Sequence, residues 1–187
     1  MSTQKNEQTL NTAAAPLSRR FGAYLIDWYL GGLVTAFPVS VVSMKLYGTV
    51  KNQNILSFSG EMGVWAGLAG ILAALFYYVV VPALIWNGQT LGKRWLKLKM
   101  VSLDGSAVKT GQLMLRQILG IMVIEGGLVT ASTLWHQLAS LVFHVSLVKP
   151  LMYAGMAVSI VSSILVLLGS HRAIHDLIGG TRVVVDK

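Results

Sequence analysis

Arg20, Asp27 and Asp176 are the side chains of this sequence best placed to do chemistry. Asp27 lies inside the apolar run Tyr24-Leu25-Ile26-Asp27-Trp28-Tyr29-Leu30, seven residues after Arg20. Seven residues are two helical turns, so on a helix both side chains share one face, about 10 Å apart along the axis. A charged side chain within a membrane span costs about 2.5–3.5 kcal/mol on insertion scales, so it needs a partner and commonly marks an ion or proton pathway. Asp176 follows the last long apolar run, in His171-Arg172-Ala173-Ile174-His175-Asp176, at the boundary from which Asp27 enters the membrane. The chemistry implied is the binding of protons or monovalent cations by carboxylates whose charge Arg20 balances. Arg116 and Arg172 are further candidate cations at the same boundary.

Glu125 stands nine residues beyond Arg116, roughly 13 Å deeper on a helix and near the middle of a hydrocarbon core about 30 Å thick. Two readings are open: a second carboxylate on an ion path, or a neutral hydrogen-bonded group, since burial raises a carboxyl pKa. His171 and His175 are four residues apart and share the spacing of a metal pair with Asp176. Boundary histidines are more often helix-end contacts, so His175 is a secondary site candidate and no metal or cofactor is assigned. His136, Ser140 and His144 form a polar stripe opposite Leu134, Leu138, Leu141 and Val145, the pattern of an amphipathic helix on the outer face.

The elements that must position these residues are transmembrane helices. Of 187 residues, 54% are hydrophobic and 12% charged, a composition that excludes an ordinary soluble domain. Apolar stretches cover about 21–43, 62–86, 113–133 and 151–169, each near the length needed to cross a bilayer. With both termini inside, twelve Lys and Arg lie on the cytoplasmic side and Lys45, Lys51 and Lys149 outside, a strong positive-inside bias. The net charge of +8 therefore reads as a topology and anionic-headgroup signal, not as nucleic-acid binding. Residues 1–18 lack an apolar stretch and read as a disordered cytoplasmic tail. Pro38 and Pro82 are expected at kinks or helix ends. Gly63, Gly67 and Gly70 give a small-residue face for packing inside the bundle or, as the alternative, for dimerisation. Trp28, Tyr29, Tyr47, Trp65, Trp86, Trp95, Trp135 and Tyr153 read as interfacial anchors.

Between the second and third spans, Leu96-Lys97-Leu98-Lys99-Met100-Val101 alternates with period two and Asp104-Gly105 supplies a turn. The β-branched Thr181-Arg182-Val183-Val184-Val185 reads as a second strand. The expected fold is thus an all-α membrane protein of four helices with a small cytoplasmic two-stranded ribbon, in which positions 99 and 183 lie close together. Asn87-Gly88-Gln89-Thr90-Leu91-Gly92-Lys93-Arg94 has glycines too closely spaced for a phosphate loop. No nucleophile is paired with a base, so the chain does not read as an enzyme.

Three blocks in order carry a family resemblance: Arg20-x-x-Ala23-x-x-Ile26-Asp27, Gly88-Gln89-Thr90-Leu91-Gly92-Lys93-Arg94, and His175-Asp176-Leu177-x-Gly179-Gly180-Thr181-x-Val183-Val184. Over residues 16 to 185 the chain resembles the RDD family of bacterial integral membrane proteins, named for one arginine and two aspartates. By motif match these are Arg20, Asp27 and Asp176. The resemblance implies a multi-pass protein of the bacterial inner membrane, with transport or cation/proton antiport as the expected activity. The alternative is an accessory subunit or assembly factor of a membrane complex, its Arg-Asp-Asp network serving helix packing. Homo-oligomerisation or a larger complex is expected in either case, because four spans make a thin wall around a pathway.

Overall fold

The computed structural model describes residues 14–126 and 129–186, without the side chains of 169 and 170. Most of the expected tail, residues 1–13, lies outside them, as does Gly127. Helix α1 (Leu17–Tyr47) begins behind Pro16 and closes at Gly48, whose N–H bonds to the Met44 carbonyl. Residues 17 and 18, expected in the tail, are its first turn. Its buried residues are Ala23, Asp27, Gly31, Thr35, Val39 and Ser43, one every four positions. That spacing is a single narrow stripe along the helix; the side chains around it, Phe21, Phe37 and Val41 among them, are exposed. Pro38 is accommodated within the helix.

Helix α2 (Met62–Ile85) is α-helical to Leu75 and π-helical from Phe76, with Pro82 inside the widened stretch. A proline lacks the N–H of a regular ladder and crowds the preceding turn, and the looser π turns accommodate it. A loop leads to the short helix α3 (Leu91–Trp95) and strand β1 (Leu98–Ser102). Helix α4 (Thr110–Ile124), helix α5 (Thr130–Phe143) and helix α6 (Val148–Leu165) follow. Helix α6 continues in π turns to Ser170, and the chain ends in helix α7 (Ile174–Ile178) and strand β2 (Thr181–Val185).

Three helices are long and apolar enough to cross a membrane: α1, α2 and the stretch Val148–Leu168 of α6. The span expected over 113–133 is two helices, α4 ending at Ile124 and α5 beginning at Thr130. The break is stabilised locally. Ser132 Oγ and Trp135 Nε1 both donate to the Met122 carbonyl, at 2.8 Å each, meeting an acceptor that a helix end leaves free. Trp135 thus takes part in the break. Helix α5 runs antiparallel to α2: Leu134 faces Gly70, Leu138 faces Gly67 and Leu141 faces Gly63. The glycine face of α2 is therefore used inside the bundle.

Helix α5 is not the surface helix that its polar stripe suggested. His136 and Ser140 are buried together with Leu134, and Gln137 accepts the Ile55 N–H at 2.8 Å. Nor do His171 and His175 share a helix face. His171 has a left-handed φ of 50° and lies in the turn before α7.

The ribbon forms as expected, antiparallel, but one position out of the anticipated register: Lys99 faces Val184, and Val183 faces Met100. Ala15 N–H bonds to the Val183 carbonyl at 3.1 Å, so the two ends of the described chain lie together. Adjacent strand residues point to opposite faces. Because the chain has no cysteine, Lys99→Cys with Val184→Cys should therefore form a disulfide under mild oxidation, and Lys99→Cys with Val183→Cys should not; a gel-mobility assay distinguishes them.

Candidate functional site

The three motif residues fall into two separate clusters. Asp27, 4% exposed on the buried stripe of α1, receives the loop between α2 and β1. Gly92 N–H donates to Oδ1 at 2.8 Å, the Thr90 hydroxyl donates to Oδ2, and Lys93 Nζ reaches Oδ2 at 3.0 Å. From α2, the Tyr77 hydroxyl donates to Oδ1 at 2.9 Å, and the Tyr78 hydroxyl to the Asp27 carbonyl at 2.8 Å. The carboxylate sits at the first turn of α3, where orphan N–H groups and a partial positive charge favour an anion. Two glycines admit these contacts. A Cβ on Gly92 would stand 2.5 Å from the Ala23 carbonyl oxygen, and one on Gly31 would stand 1.9 Å from the Tyr78 hydroxyl.

Asp176, fully buried, organises the second cluster. Arg116 approaches Oδ1 through Nη2 at 2.7 Å and Nε at 3.1 Å, a two-donor contact. Arg20 Nη2 reaches Oδ2 at 2.9 Å, and the Ala173 N–H donates to the same oxygen at 3.1 Å. Arg20 also donates to the His171 carbonyl, and Arg172 Nη2 to the Asp176 carbonyl at 3.2 Å. Burial alone would raise the Asp176 carboxyl; Arg116, His175 and Arg20 together hold it well below the usual carboxylate range.

Glu125 is paired, at the α4–α5 break. His175 Nδ1 lies 2.7 Å from Oε2, while the Ser162 hydroxyl and the His175 N–H each donate to Oε1 at 2.7 Å. The Ser159 hydroxyl donates to its carbonyl.

The structure thus joins Arg20, Arg116, Arg172, His175, Glu125 and Asp176 around α7. It gives Asp27 to Lys93 instead; among the described residues no ion pair joins Arg20 to Asp27. Sequence reasoning missed Tyr77, Tyr78, Thr90, Gly92 and Lys93 as partners of Asp27. The last three belong to the Gly88–Lys93 block, whose polar residues flank a helix start; that pattern was the available signal. No group of three or more His, Cys, Asp or Glu among the described residues is arranged to hold a metal ion.

A bundle of long apolar helices around ion clusters at one end defines a helical membrane protein. Residues 14–180 match the RDD family, and the chain belongs to it. Neither a curated protein nor a solved structure matches the chain.

Removing one partner of a buried ion pair leaves an uncompensated charge and costs about 3–5 kcal/mol. Lys93→Met should therefore lower the thermal unfolding midpoint in detergent sharply, and adding Asp27→Asn to it should restore part of the loss. Asp176 has a depressed folded pKa, so its contribution is fully present above the unfolded value of about 3.9 and is lost as pH falls through the lower folded value. The difference in unfolding midpoint between the native chain and Asp176→Asn should shrink as pH falls below about 4.

Proposed function

We propose that this RDD-family chain is a multi-pass protein of a bacterial inner membrane that crosses the bilayer four times, both ends cytoplasmic. In this reading α4 and α5 together make the third crossing, around the break at Glu125. The distribution of Lys and Arg supports the orientation, and the contact between Ala15 and β2 supports ends on one side. Its role is that of an accessory or assembly subunit of a larger membrane complex, held in a single shape by its ion clusters.

One observation carries this reading. Asp27, Glu125 and Asp176 are each satisfied by donors from elements distant in sequence. Charges so engaged tie segments together, and buried ionic groups used in this way specify one arrangement of helices. A carboxylate that must bind and release an ion on each cycle is better served by loose contacts; Asp27 would have to give up four side-chain or backbone donors. The gently solubilised native chain should co-purify with a stoichiometric membrane partner, and Asp27→Asn should lower the folded yield severalfold. A lone 20.2 kDa species that carries ion flux would overturn the proposal.

The broken helix favours a second reading, transport of protons or monovalent cations, because interrupted helices form ion sites in many transporters. Asp27 would be the ion ligand, freed when Lys93 withdraws, with Asp176 at the cytoplasmic mouth and Arg20 as its counter-charge. Flux measured in proteoliposomes decides: loss in Asp27→Asn supports this reading, and undiminished flux eliminates it.

A further inference from the structure

We propose that His175 is a proton-binding site whose occupancy sets how firmly the C-terminal segment is docked on the break between α4 and α5. The inference holds for either role of the protein, because it concerns the joint and not what the joint serves.

The imidazole of His175 lies between two carboxylates. Nδ1 is 2.7 Å from Glu125 Oε2, and Nε2 is 3.9 Å from Asp176 Oδ1. A neutral imidazole carries one N–H and turns a lone pair toward one of the two acids; only the imidazolium presents N–H to both. The two acids are not equivalent. Asp176 already has Arg20 and Arg116, whereas within 4 Å Glu125 has His175 as its one cationic partner among the described residues. The other charged or titratable groups are accounted for by element. From α1 come Arg20, engaged on Asp176, and Tyr24, within electrostatic reach of Glu125. Lys93 of α3 is engaged on Asp27, Arg116 of α4 on Asp176, and Arg172 on the Thr181 and Asp176 carbonyls. Helix α6 contributes the neutral hydroxyls of Ser159 and Ser162.

The site is reachable and mechanically placed. The side chains of His175 and Glu125 keep 17% and 11% exposure, so neither is sealed inside the protein. His175 seats α7 against α4 at Gly120, where a Cβ would stand 2.8 Å from the His175 Cα. The adjacent Ile174 N–H bonds to the Ser162 hydroxyl at 2.9 Å, and that hydroxyl in turn donates to Glu125. Protonation at the imidazole thus strengthens a contact on which the start of α7 depends. When His175 loses the proton, the ion pair with Glu125 is reduced to a hydrogen bond from a neutral donor, and the contact to Asp176 becomes repulsive.

Amide hydrogen exchange of residues 171–180 in the full chain in lipid nanodiscs, corrected for intrinsic pH dependence, tests the proposal. Protection should fall about tenfold in a one-proton transition as pH rises. Glu125→Gln should move that transition to lower pH, and His175→Gln should abolish it. Ring-15N NMR of His175 in the native chain keeps the test open if a variant does not fold: the ring should lose its proton at the same pH at which exchange accelerates. Protection unchanged with pH, a ring midpoint that differs from the exchange midpoint, or a transition that survives in His175→Gln would overturn the proposal.

Discussion

A carboxylate in a low-dielectric layer must be met by donors, and a membrane helix has none to spare from its own backbone. Asp27 therefore dictates much of the surrounding architecture. The narrow stripe of α1 on which it lies can be covered only if Tyr77 and Tyr78 of α2 turn their hydroxyls toward it. The chain after α2 must also fold back, so that Thr90, Gly92 and Lys93 arrive from the far end of a loop. Once α3 is held there, Gln89 is placed to donate to the Leu98 carbonyl at 2.8 Å and to Asp186 at 3.1 Å. The ribbon is thus positioned over the same end of the bundle. Asp176 does the equivalent for the C-terminal segment, drawing α1, α4 and α7 together.

The two clusters are separate in contacts but not in field. Lys93, bound to Asp27, also feels the charges of Arg116 and Asp176. Electrostatic interactions reach further where water is excluded, so a change of charge at α7 is felt at the Asp27 loop without any shared hydrogen bond. Arg94, on the outer side of α3, lies over the Trp86 ring at 5.2 Å, which adds a cation–π contact between the short helix and the end of α2.

The sequence was most readable where one property decided the outcome. Uniform apolar runs located α1, α2 and α6, and strict alternation located both strands. The ribbon register was out by one because pairing depends on the turn at 103–106 and on contacts with Gln89 and Asp186, which no local pattern records. The break after Ile124 was left open for a related reason: hydropathy measures how apolar a stretch is and is blind to whether its backbone is continuous. Glu125 and Gly126 were the visible trace of it. Spacing within one helix put Arg20 and Asp27 two turns apart on one face, but it could not choose their partners. That choice lay with residues 93 and 176, brought in by tertiary folding.

The pairing of Arg20 and Arg116 with Asp176 has a temporal side. A chain is made from its N-terminus, so both arginines and the helices that bear them emerge before the aspartate that neutralises them. Until α7 is synthesised, two guanidinium groups stand at the bundle end without their carboxylate, and β1 stands without β2. An incomplete chain is therefore marked by unpaired cations and an open strand edge. Arrival of the last segment removes both marks at once, so that closure of this corner records that synthesis has reached it.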